Sequence, residues 1–270
     1  MDITFIGGGN MATALIGGLV AKGFAPQSIR VVEVVPEARK RLTDSFGVKC
    51  LERPAAATPL GDVVVIAVKP QQMREVAREL APHLRSELVL SIAAGIRLGD
   101  IARWLGGHAR LARCMPNTPA LIGAGVTGLY ARPAAGPEGR RNAHAILEAV
   151  GEVIWVEDEA LLDPVTAVSG SGPAYVFYFI EALERAAREL GLDEAGARRL
   201  AIGTFRGAAE LAARSTDSPA TLRSRVTSKG GTTERALATM QADGLADAIV
   251  RAVRAANERA HELGDELGKD

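Results

Sequence analysis

The sequence predicts an α/β amino-terminal domain followed by an all-helical carboxyl-terminal domain, and two observations predict it. Short β-branched runs alternate with helical patterns from Ile3 to about Val156, and beyond about Asp158 the strand-like runs vanish and long Ala-rich helical patterns take over. Alternation of this kind specifies a sheet of parallel strands covered by helices.

The runs are Ile3–Ile6, Ile29–Val32, Val63–Val68, Leu88–Ile92 and Ile154–Val156. They are continuously apolar, as strands buried on both faces must be. The Gly-rich stretch Gly123–Tyr130 reads as a hairpin or a loop. In the second half, Val176, Ile180, Leu183, Ala187 and Leu190 fall on one face of a helix. Ala201, Phe205, Ala208 and Ala212 do the same in the next helix, with Asp193 as its cap. A shorter helix starts at Ser218-Pro219, with Ser capping and Pro in the first turn. Leu245, Ile249, Ala252, Ala256, Leu263 and Leu267 mark a third long helix.

A chain of 270 residues favours two domains over one. With 24% charged and 47% apolar residues it is an ordinary globular composition. Lys plus Arg equals Asp plus Glu at 32 each, so no net field draws in nucleic acid or an anionic membrane. Cys50 and Cys114 have no CxxC spacing, and the four histidines are scattered, so neither a disulfide framework nor a metal is expected. The amino terminus is unlike a signal peptide, and no apolar run reaches the ~18 residues of a membrane span. The expected setting is the cytoplasm and the expected partner a small molecule.

The run Ile3–Ile6 leads straight into Gly7-Gly8-Gly9-Asn10-Met11-Ala12 and then a helical stretch reaching about Lys22. This is G-x-G-x-x-A between a strand and a helix. Gly7 permits the tight turn, Gly9 lets a pyrophosphate approach the backbone, and small Ala12 lets helix and strand pack closely. The helix N-terminus offers free N–H groups to phosphates. Taken alone the motif is a weak signal, since a Gly-rich turn explains it. Its place after the first strand and Glu33 at the end of the second strengthen the nucleotide reading, and a Rossmann-like dinucleotide-binding domain is expected over residues 1–160.

Glu33 stands where an acidic side chain bonds the adenosine ribose 2′-OH and repels a 2′-phosphate, which points toward NADH. Arg39 and Lys40 follow closely as receptors for a 2′-phosphate, with solvated helix charges as the plainer reading, so the cofactor is NADPH or NADH. Two further loops follow strands on the ligand side of such a sheet: Ala67-Val68-Lys69-Pro70, where Lys69 is either a phosphate or ribose contact or a snorkelling surface lysine, and Ala93-Ala94-Gly95.

Two other glycine-rich stretches each precede a helix: Val168 to Tyr175 and Thr227-Ser228-Lys229-Gly230-Gly231-Thr232-Thr233. In the second, backbone N–H groups and hydroxyls meet a helix N-terminus, a receptor for a carboxylate. A helix cap explains one Thr and one Gly of this loop and leaves the rest over.

Here the chain resembles the pyrroline-5-carboxylate reductase family over its whole length. The most specific part is Pro219 to Gln241, PATLRSRVTSKGGTTERALATMQ; GGGNMA, AVKP, MPNTP (Met115 to Pro119) and SGSGPAY are similar to family motifs in the same order. The resemblance implies reduction of 1-pyrroline-5-carboxylate to L-proline with NADPH or NADH, and a homodimer or larger homo-oligomer. It implies that Ser228, Gly230, Gly231, Thr232 and Thr233 hold the substrate, and that Asn117 and Ser169 lie near the nicotinamide. Thr233 and Ser169 are the candidate catalytic residues, Thr233 as a hydrogen-bond partner of the substrate. Residues 161–270 are then the helical substrate and dimerisation domain. Lys229 stands where many members have Pro.

The rest of the catalytic inventory is sparse, with no Tyr-x-x-x-Lys pair and no evident His-Asp dyad. A protonated imine accepts hydride without a strong acid, so positioning supplies most of its catalysis. A β-hydroxyacid dehydrogenase would need a lysine on the helix after SGSGP, and none is there. A non-catalytic dinucleotide sensor would keep GGGNMA but have no use for GGTT.

Overall fold

The structure is a computed structural model that describes residues 1–269. The chain forms β1 (Ile3–Ile6), α1 (Asn10–Ala21), β2 (Ile29–Val32), α2 (Pro36–Phe46), β3 (Lys49–Leu51), β4 (Val63–Ile66), α3 (Met73–Leu80), β5 (Leu88–Ser91) and α4 (Leu98–Trp104). Then come β6 (Leu111–Met115), β7 (Gly125–Ala131), α5 (Gly136–Glu148), β8 (Gly151–Trp155) and α6 (Leu162–Val165). A π-helical turn, Thr166–Gly170, precedes the long helices α7 (Gly172–Glu189), α8 (Glu194–Arg214), α9 (Pro219–Arg225), α10 (Thr232–Ala242) and α11 (Leu245–Leu267).

The strands form one sheet in the order β3-β2-β1-β4-β5-β6-β7-β8. Six are mutually parallel from β3 across to β6, while β7 runs antiparallel to β6 and β8 parallel to β7. The all-parallel expectation is therefore corrected at β7, the stretch read as a hairpin or loop. The short Thr118–Ile122 turn joins β6 to β7, and a link that short allows only an antiparallel return.

Strand burial follows the pleat. Ile3 and Phe5 of β1 pack with Leu15, Ile16 and Leu19 of α1 on one face, and Ile6 packs with Met73, Ala77 and Trp104 on the other. Two strands were not foreseen. β3 is a three-residue edge strand beginning with Lys49, and the apolar run of β6 is broken by Arg113, whose charge is neutralised by partners distant in sequence.

Helix starts follow local chemistry. Asp193 accepts from the Gly196 amide at 2.7 Å, and Ser218 accepts from the Thr221 amide at 3.2 Å ahead of Pro219. The compact units are Met1–Ser171 with the stretch from Ala256 on, and Gly172–Ala255. They do not divide at residue 160, because the end of α11 packs with the first unit: Gly95 lies against Leu263 and Leu267, and Arg97 pairs with Asp265 at 2.6 Å.

In the helical unit α7 packs on α8, with the Phe179 and Phe205 rings 6.4 Å apart. Only Ala197 and Ala201 of this unit are buried, while Phe177, Tyr178 and Leu190 are 60%, 72% and 85% exposed. None of the helices is long and apolar enough to cross a membrane among the described residues.

Candidate functional site

β1 and β4 are neighbours whose connections leave in opposite directions along the sheet, the switch point at which open α/β sheets bind ligands. Gly7 follows β1 with φ +101°, and a Cβ there would lie 2.8 Å from the Ala67 carbonyl, so only glycine fits this turn. Gly9 caps α1 with no side-chain hydrogen bond, and nothing lies within 4 Å of where its Cβ would be. The amides of the first turn of α1 thus face open space, a ready anion receptor.

A cleft of about 790 Å³ opens there, lined by Gly7–Gly9, Val32–Pro36, Ala67–Lys69 and Glu52–Pro54 among others. Of the residues expected to bind cofactor, Gly7, Gly8, Gly9, Glu33, Ala67, Val68 and Lys69 are on its wall. Asn10, Met11 and Ala12 form the first turn of α1, with Ala12 buried in the core beneath, and Pro70 opens the turn after Lys69. Ala93, Ala94 and Gly95 follow β5 and do not line this cleft.

The charges at the Glu33 end of the cleft are already arranged. Glu33 accepts from the Gly8 amide at 2.7 Å and from the Val35 amide at 2.9 Å. A carboxylate has further lone pairs, so two amides leave acceptor capacity for a ribose hydroxyl. Arg39, also on the cleft wall, is already engaged by protein partners. It donates to the Glu33 and Val34 carbonyls and pairs with Glu52 at 2.7 Å. Lys40 pairs with Asp44 one turn along α2, whose hydrogen bond raises the lysine pKa, so the solvated helix charge is its role. Lys69 and Arg53, both exposed on the cleft, have no ion pair among the described residues. Arg53 went unnoticed in the sequence, where nothing marks the loop after so short a strand as β3.

Further along the same edge, Asn117 follows β6. Its Nδ2 donates to Ser169 Oγ at 3.1 Å and to the Ser169 carbonyl at 3.3 Å, and its Oδ1 accepts from the Val126 amide at 2.9 Å. Asn117 and Ser169 thus lie in contact although 52 positions apart in sequence. Ser169 Oγ in turn donates to the Val126 carbonyl at 3.4 Å. Its proton is thereby engaged, so the arrangement is a clamp on the π-helical turn.

In the helical unit, the loop before α10 is built partly for itself. Gly230 has φ +74°, and its amide donates to Glu234 at 2.6 Å, while the Gly231 amide donates to the Ser228 carbonyl at 3.0 Å. Both glycine amides are thus engaged within the loop itself, Gly230 by the Glu234 carboxylate and Gly231 by the Ser228 carbonyl, where the sequence suggested that they stay open to a ligand. Gly231 is the N-cap of α10, with no side-chain capping bond. The hydroxyls of Ser228, Thr232 and Thr233 and the amides of Thr232 and Thr233 make no hydrogen bond among the described residues. Thr233 therefore does not cap the helix.

Buried Cys114 sits beside Ser91, and its burial pushes the thiol well above the usual cysteine range. It is a core residue and no nucleophile.

The model for the pyrroline-5-carboxylate reductase dimerisation family matches residues 159–263, and that for NADP oxidoreductase, coenzyme F420-dependent, matches residues 2–95. The chain is 46% identical to a pyrroline-5-carboxylate reductase of Pseudomonas aeruginosa, over 99% of this chain and 98% of the other. It is 37% identical to that of Escherichia coli, over 97% of each. Among solved structures, a pyrroline-5-carboxylate reductase of Coxiella burnetii superposes with a TM-score of 0.93 at 41% identity, covering 97% of this chain and 98% of that one. A Plasmodium falciparum pyrroline carboxylate reductase with NADP bound gives 0.87 at 26%, covering 98% of each. At such identity over nearly the whole of both partners, the chain belongs to the pyrroline-5-carboxylate reductase family.

Proposed function

We propose that this protein reduces 1-pyrroline-5-carboxylate to L-proline, with NADPH or NADH as hydride donor. The observation that carries the reading is the uncapped first turn of α1 behind Gly9, at the switch point of the sheet, in a chain of this family. The cofactor supplies one hydride to the imine carbon, and the ring nitrogen, already protonated, keeps its proton as the C=N bond becomes C–N.

The residues do the rest by binding and orientation. The first-turn amides of α1 hold the pyrophosphate, and Glu33 meets the adenosine ribose. Asn117 and Ser169 shape the nicotinamide end of the same edge. Ser228, Thr232 and Thr233 offer hydroxyls, and the first amides of α10 a positive helix end, to the substrate carboxylate. Thr233 hydrogen-bonds the substrate, and no strong acid is required for an iminium.

The protein works as a homodimer or larger assembly through the helical unit. Phe177, Tyr178 and Leu190 stay largely exposed in the single chain, and an apolar surface of that extent calls for a partner. Cys50 and Cys114 are free thiols, which suits the cytoplasm.

The test is incubation of the folded protein with 1-pyrroline-5-carboxylate and NADH or NADPH, following reduced-nicotinamide absorbance and proline. Proline is expected, and its absence with both cofactors overturns the reading. Light scattering is expected to give at least twice the chain mass.

A further inference from the structure

Arg113 lies mid-strand in β6 with only 4% of its side chain exposed. A guanidinium at that depth is unfavourable unless charge and hydrogen bonds compensate it. Its NH1 donates to Glu159 Oε1 at 3.2 Å, and its NH2 lies 3.8 Å from Asp163 Oδ1. The Glu159 oxygen has a second duty: it accepts from the Leu98 amide at 2.7 Å. Leu98 opens α4 and closes the loop that carries Ala93, Ala94 and Gly95.

Asp163 lies in α6, which runs without a break into the π-helical turn holding Ser169. π-helical turns gather at functional sites, and this one is locked to Asn117. Arg113 itself is two residues before Met115, where β6 ends and the chain turns toward Asn117. One buried cation is thus joined, directly or through one carboxylate, to the three segments that bear Ala93–Gly95, Asn117 and Ser169.

We propose that Arg113 is a positioning residue: through Glu159 and Asp163 it ties the loop after β5 to the Ser169 turn, and so sets the geometry of hydride transfer without touching either reactant. The inference rests on the reductase reading above and adds to it the residue that holds the nicotinamide-side loops in register. A merely structural ion pair would lower stability and leave the transfer step of each folded molecule unchanged.

The variants are Glu159→Gln, which keeps an acceptor for the Leu98 amide but loses the charge, Arg113→Lys, and Arg113→Met. Each is measured where circular dichroism shows it folded, with reduced cofactor carrying hydrogen or deuterium at the transferred position. Displacements near 1 Å can cost up to two orders of magnitude in rate, so kcat is expected to fall by roughly tenfold or more in Glu159→Gln and Arg113→Met. The cofactor KM should change little, the isotope effect should rise as transfer becomes rate-limiting, and Arg113→Lys should recover part of the loss. Hydrogen exchange should quicken together in peptides spanning 92–98 and 164–171.

Unchanged kcat and isotope effect in folded variants would overturn the proposal. So would faster exchange in only one of the two peptides, or in neither. Should Arg113→Met not fold, Glu159→Gln and Arg113→Lys decide. Should the wild-type protein form no proline, the functional reading fails, and the exchange measurement still decides whether Arg113 couples the two segments.

Discussion

The amide of Gly8 donates to the carboxylate of Glu33 across 2.7 Å, joining the glycine turn after β1 to the end of β2. The residue proposed to meet the ribose thus also holds the shape of the glycine turn. Glu33→Ser should therefore do two things at once. The ratio of kcat/KM values should move toward NADPH by roughly tenfold, as loss of about 1.4 kcal/mol of discrimination implies. Stability should fall by about 1–2 kcal/mol, the worth of amide bonds to a carboxylate reduced by solvent at this partly buried site. Cofactor titration and chemical denaturation check both, and an unchanged ratio removes Glu33 from the ribose site.

Thr233 has no capping bond to lose, so Thr233→Ala should leave stability within about 0.5 kcal/mol. If its hydroxyl bonds the charged substrate, kcat/KM drops roughly tenfold or more. NADH affinity should not change, because the glycine turn belongs to the other compact unit. Steady-state kinetics beside thermal melting separates the cases, and normal kcat/KM excludes Thr233 from the substrate site.

Glu234 holds the Gly230 amide at 2.6 Å and, on the proposed binding of the substrate here, would compete with its carboxylate for the turn. Glu234→Ala should lower KM for 1-pyrroline-5-carboxylate by roughly two- to fivefold at nearly constant kcat, the scale of one modest hydrogen bond. A raised KM would show instead that the side chain keeps the turn in its working shape.

Burial raises the Cys114 pKa, an effect that the nearby Arg113 charge only partly offsets. The folded form therefore binds the thiol proton more tightly than the unfolded chain. This contribution to stability is complete below the unfolded pKa of about 8.5 and declines as pH rises above it. Denaturant midpoints at about pH 7 and about pH 9.5 should differ less in Cys114→Ala than in the wild type. In native protein a thiol reagent should label partly exposed Cys50 and spare Cys114. Equal labelling would contradict the buried placement.

Periodicity and local backbone chemistry were enough to read β1, β2 and the long helices, the caps Asp193 and Ser218, and the turn at Gly7. Each depends on residues within about a helical turn of one another, and ordered motifs added the family. Only the tertiary structure decided which charges are free. Glu52, 13 positions on, pairs with Arg39, while Lys69 and Arg53 have no ion pair among the described residues. Even at four residues' distance, the Glu234 reach to Gly230 depends on how the loop turns before α10. Arg113 broke an apolar strand pattern and hid β6, because its partner Glu159 lies 46 positions away. Hydrophobic pattern is a property of neighbours along the chain, whereas charge and hydrogen-bond pairing depends on which distant loops the folded sheet brings to one edge.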